Sequence, residues 1–210
     1  MQMKYPQLIL LPLLMLADYF LTVWGAVLKD KGYGKHFKVE HYELNPVWQK
    51  SISEKRWVNP RHLLLTLFTS SLLAALLELG GLPDPAVEGM FGCLFVFFGI
   101  IVGRHLSNIL TFRLFARRPG DISGQLTMAH SLALSTSTFQ YLVAAIPVAM
   151  VAIFSPTPFS LGGAVGAVLI FVVHAVWIWR HKKAFNPQSG VNGTQPLTSE
   201  AAASVARPER

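Results

Sequence analysis

The chain has 210 residues, 52% hydrophobic and only 14% charged, with a net charge of +7 and a mean hydropathy of +0.42. Soluble domains are about a quarter charged, so this balance excludes an ordinary soluble domain and predicts one compact, all-α membrane domain. The lone cysteine, Cys93, excludes an intrachain disulfide or a CxxC metal site, and the positive charge falls in loops that set topology, so no nucleic-acid partner is expected.

A bilayer-spanning helix needs about 20 largely apolar residues. Five such segments are predicted: Gln7–Leu28, His62–Gly80, Ala86–Phe112, Thr127–Phe154 and Ser160–Trp179. The first lacks a small-residue cleavage site and continues too far for a signal peptide, so it reads as a span. Between spans one and two lies a basic connection, residues 29–61. Phe37, Val39, Tyr42, Leu44, Val47 and Trp48 alternate there with charged residues, which predicts an interfacial helix or a re-entrant segment. Short turns rich in Gly and Pro, Gly80–Pro85 and Ser155–Pro158, predict hairpins between neighbouring spans. Residues 1–185 form the predicted transmembrane domain. Residues 186–210, rich in Gly, Ser, Thr, Pro and Ala, are expected to be a disordered tail.

Lysine and arginine near the span ends predict orientation. Fourteen lie in the 29–61 loop, after span three and after span five, against Lys4 alone on the opposite side. The expected topology has the N-terminus outside and the C-terminus in the cytoplasm. The expected setting is the lipid bilayer of a bacterial inner (plasma) membrane.

Asp18 stands inside the first span. A carboxylate at the bilayer centre costs about 2.5–3.5 kcal/mol on insertion scales, so a chain that keeps one pairs it, hydrates it or uses it. Thr22 follows one turn later on the same face. Span three carries Arg104, His105 and Asn108; span four carries His130 near its start, and His62 and His174 occupy the same half of the membrane. The loop adds Glu43 and Asn45, and His36 with Glu40 and Glu43 would share one face if that stretch were helical. Each has a plainer reading. Asp18 would pair with Arg104 as a structural ion pair, His105 with Asn108 as an interhelical hydrogen bond, and His174 would simply pack. Gly99-x3-Gly103 and Gly162-x3-Gly166 match a close-packing pattern, within the chain or toward a second copy or a membrane-complex partner.

Asp18-Tyr-Phe-Leu-Thr22, then Gly32 and Gly34, then Glu43-Leu-Asn45-Pro46 resembles a pattern, D-x3-T followed by E-x-N-P, in small polytopic membrane proteins of the uncharacterised DUF5658-like type. The likeness covers about the first 50 residues. It implies that Asp18, Thr22, Glu43, Asn45 and Pro46 act as one unit, and it implies no activity.

Three functions are consistent with these residues. One is a cytoplasm-facing cleft that binds or moves an ion or small polar solute, lined by Asp18, Thr22, Glu43, Asn45, Arg104, His105, Asn108 and His130. A second is a metal-dependent enzyme acting on a lipid-linked substrate, with Asp18, Glu43, His105 and His130 holding a divalent ion. A third is a structural or assembly subunit.

Overall fold

The computed structural model describes residues 5–39 and 42–184. The predicted disordered tail lies outside the described residues, as does Glu40. A short 3-10 turn, Pro6–Ile9, leads into α1, Leu10–Leu28. A π-turn, Lys29–Tyr33, and the three-residue α2, Gly34–His36, carry the helix past its predicted end. Then come β1, Phe37–Val39, the short α3, Gln49–Ser53, and four long helices: α4, Pro60–Leu79; α5, Asp84–Arg117; α6, His130–Phe154; and α7, Pro158–Ala184. Strand β2, Leu126–Met128, precedes α6 and pairs with β1 in parallel, Phe37 opposite Leu126.

The architecture is helical with five helices long and apolar enough to cross a membrane. Two expectations are corrected. Residues 126–128, which fall across the predicted start of span four, are extended strand and not helix. The 29–61 connection is not one interfacial helix. It is helical to His36, extended to Val39, and then turns inward on Leu44 and Ile52, both buried. His36 and Glu43 therefore share no helical face. His36 instead meets the Gly124 carbonyl at 3.0 Å.

Local chemistry sets the helix ends. Asn59 caps α4, its side-chain oxygen accepting from the amides of Arg61 and His62, with Pro60 preset in the first turn. Gly81 takes φ +54°, a left-handed conformation that closes the α4–α5 hairpin at little cost to glycine.

The principal contacts order the helices α4–α1–α5–α7–α6, with the α5–α7 face the most extensive. Glycines make that face possible. A Cβ at Gly92 would overlap the Phe159 carbonyl, one at Gly162 the Gly89 backbone, and one at Gly166 the Cys93 carbonyl. The Gly162-x3-Gly166 pattern therefore packs within the chain. Added Cβ atoms on Gly99 and Gly103 would meet nothing within 4 Å.

The outer surface is apolar. Leu64, Phe68, Val143 and Ile153 are each more than 60% exposed, and only 17–33% of each helix's apolar window is buried within the protein. Five helices that leave this much hydrocarbon uncovered suit a lipid solvent and not water.

Candidate functional site

α1 presents Leu11, Met15, Tyr19, Thr22, Val23 and Ala26 to its neighbours, a stripe at helical spacing. Its first half packs an apolar core, Leu11 and Met15 with Leu73, Leu77, Val87 and Phe91. Its second half changes character. Asp18 and Thr22 face α5, where His105 meets both: Nε2 lies 3.0 Å from Asp18 Oδ1 and 3.0 Å from Thr22 Oγ1. Thr22 donates its own proton to the Asp18 carbonyl at 2.7 Å, so its oxygen is left to accept. The geometry assigns a proton to His105 Nε2, shared between carboxylate and hydroxyl.

This corrects the expected Asp18–Arg104 pair. Arg104 turns the other way, Nε donating to Gln140 Oε1 at 3.2 Å and Nη1 to the Tyr141 hydroxyl at 2.8 Å, with the guanidinium 5.2 Å from the Tyr141 ring centre. His105 likewise pairs with α1 and not with Asn108.

Residues 42–48 cover this polar half. Asn45 Oδ1 accepts from the Val47 amide at 3.0 Å, and the Asn45 carbonyl accepts from the Trp48 amide at 3.1 Å. Asn45-Pro46 thus makes a tight turn, an arrangement favoured by asparagine and proline together. Glu43 Oε1 accepts from the Asn45 amide at 2.7 Å, which folds its carboxylate back toward the helices. Gly25 leaves room on α1 for the Tyr42 ring, where any side chain would strike the phenol oxygen. The Tyr42 hydroxyl faces Asn108 without a hydrogen bond of standard geometry. Trp48 sits edge-on to His62 of α4 at 5.3 Å, and Tyr19 donates to the Arg56 carbonyl at 2.7 Å. These contacts tie the connection to α1 and α4.

Between them lies a cavity with about 90 Å³ open to water. A water needs only about 10–15 Å³ on such a measure, so the space takes a small solute. Asp18, Thr22, Glu43, Asn45, Arg104, His105 and Asn108 all line it. His130 does not: it is the first residue of α6, buried, and outside the lining. The proposed metal set is therefore not assembled, and among the described residues no three His, Cys, Asp or Glu side chains converge as ligands.

Burial pushes the Glu43 carboxyl above its usual range; His105, the Asn45 amide and Arg104 pull it back, and Asp18 adds to the rise. Burial, with the neighbouring Glu43 charge, also holds the Tyr42 phenol high.

The cavity has walls that polarity alone does not reveal: Tyr42, Trp48, His62, Tyr141, His174 and Trp177. His174 Nδ1 donates to the Ile170 carbonyl at 3.0 Å, and its ring lies between those of Tyr141 and Trp177, 4.4 and 4.7 Å away. Its expected packing role holds, and it adds a cavity wall.

Fold and site together describe a helical bundle of the multi-pass membrane class, with a polar cavity inside an apolar exterior. The chain matches no family model, no curated protein and no solved structure.

Proposed function

We propose that this protein binds, and in a membrane moves, a small polar solute in the cavity around Asp18. One observation carries the reading: two carboxylates, an arginine and a buried imidazole line a single solute-sized space inside a bundle whose outside is hydrocarbon. Charged groups are costly in such a place and mark solute or ion pathways. Asp18 is the central charge, held in direction by His105, whose ring Thr22 also meets. The lysine and arginine distribution favours a cavity that opens toward the cytoplasm, with the N-terminus outside.

The enzyme reading draws less support. It calls for a divalent ion, and among the described residues no three His, Cys, Asp or Glu side chains converge to hold one.

The test is thermal unfolding of the purified protein in lipid nanodiscs, across a panel of small amines, carboxylates, amino acids and sugars. A ligand at 100 times its Kd stabilises by about 2.7 kcal/mol. At least one class should raise the Tm of the wild type and leave Asp18→Asn unmoved. If no solute shifts the wild type, or Asp18→Asn keeps the full shift, the reading fails.

A further inference from the structure

Resting on that reading, the charges lining the cavity narrow the solute. Asp18 has its partner in His105. Glu43 and Arg104 do not have each other. Both line the same space, yet no ion pair joins them. Among the described residues their hydrogen bonds go to neutral groups: Glu43 Oε1 accepts from a backbone amide, and Arg104 donates to an amide oxygen and a phenol oxygen. Two opposite charges enclosed in a medium of low dielectric attract strongly. Two opposite charges that line one cavity without pairing, each hydrogen-bonded to neutral groups, leave that cavity two poles.

Hydrogen-bonding capacity agrees. A carboxylate accepts at about four sites and a guanidinium carries five donors. Among the described residues, Glu43 uses one acceptor position and Arg104 two donors. Glu43 lines the cavity itself. Trp48, Tyr141 and Trp177 supply aromatic wall, which favours an ammonium and an apolar side chain alike.

We infer that the solute is a small zwitterion of the α-amino-acid class, its ammonium group on Glu43 and its carboxylate on Arg104. A simple cation would leave Arg104 facing it unneutralised, and a simple anion would leave Glu43 so. Only a ligand with both charges matches both poles.

The experiment uses the full chain in nanodiscs, with glycine, L-alanine and L-leucine as zwitterions, methylammonium as the cation alone, acetate as the anion alone and urea as a neutral polar control. Wild type, Glu43→Gln and Arg104→Gln are compared by thermal unfolding and by equilibrium binding of radiolabelled glycine and alanine. One or more amino acids should raise the Tm, while methylammonium and acetate at equal concentration do not. Each variant should weaken that amino acid at least about tenfold, the loss expected when a charge-assisted hydrogen bond is removed. Monodisperse elution and an unchanged helical signal establish that the variants are folded. Arg104→Lys, which keeps the charge, should retain part of the affinity and guards against a folding artefact in Arg104→Gln. If methylammonium, acetate or urea shifts the wild type as much as any amino acid, the zwitterion inference fails and solute binding stands. If nothing in this panel shifts it, the zwitterion inference fails, and solute binding fails with it when the wider panel of amines, carboxylates and sugars is silent too.

Discussion

At one end of the bundle Leu11, Met15, Leu73, Leu77, Val87 and Phe91 fill the space between α1, α4 and α5 with hydrocarbon. At the other end the same three helices enclose Asp18, His62 and His105 around a cavity. The apolar end needs no cover. The polar end is roofed by residues 42–48, with Tyr42 and Trp48 packed on Tyr19, Val23, Ala26 and Ile52. The difference teaches where the chain spends its irregular structure. Non-helical backbone is tolerated beside a bilayer where it is covered by protein or lines a polar space, and Asn45 of the Asn45-Pro46 turn lines such a space.

The largest effect should come from the glycine contacts that hold α5 on α7 and position Arg104 toward α6. Gly92→Leu would drive a side chain into the Phe159 carbonyl, and no rotamer removes the overlap of its Cβ. It should prevent recovery of monodisperse protein, read by gel filtration. Next is Leu11→Ala, which empties a fully buried site at the apolar end. It should cost about 2–5 kcal/mol of stability, measured by denaturant unfolding, and leave solute affinity unchanged. A loss of affinity there would break the separation between the two ends.

Asp18→Leu should cost about 1–3 kcal/mol, because His105 loses an acceptor in a buried place. Asp18→Asn should cost less, since its amide oxygen can still accept from Nε2. The comparison is made by unfolding both variants side by side.

A smaller effect is pH-dependent. The Glu43 carboxyl is raised from its ordinary value of 4.5, with burial the main cause. A raised acid contributes stability that is fully present below its unfolded value and lost as pH rises through the folded value. Stability should therefore fall with rising pH in the window above about 4.5, and Glu43→Gln should flatten that slope. Asp18 on α1, Tyr42 in the roof, His62 on α4, Arg104 and His105 on α5, Tyr141 on α6 and His174 on α7 face the same cavity, so the difference between wild type and Glu43→Gln isolates the one group. An ammonium ligand favours the ionised carboxylate, so amino-acid affinity should rise over that window. Smallest of all is Gly103→Leu on the open face of α5, where a side chain meets nothing within the chain; it should change unfolding free energy by no more than about 0.5 kcal/mol.

Much of this was legible because polar residues stand out against hydrocarbon. Asp18, Arg104, His105 and Asn108 could be read by type and depth along their spans, and Glu43 by its place before Asn45-Pro46. What sequence could not give was azimuth. Arg104 and His105 are adjacent, so they point about 100° apart on a helix. Which of them meets Asp18 depends on how α5 is rotated by its glycine packing on α7. Tyr141, His174 and Trp177 escaped notice as cavity walls because rings at helical spacing look the same whether they pack or line a space. The β1–β2 pair was hidden for another reason: two three-residue strands far apart in the chain carry no readable period.

The most direct measurement asks whether the polar end is open and the apolar end closed. In a Cys93→Ala background, Asn108→Cys and Met15→Cys would be treated with a small, charged thiol reagent in nanodiscs, with and without an amino acid. The account predicts that Asn108→Cys is modified, that bound solute slows it, and that Met15→Cys stays unmodified while the protein is folded. An inert Asn108→Cys in folded protein, or equal reaction at both positions, would contradict it.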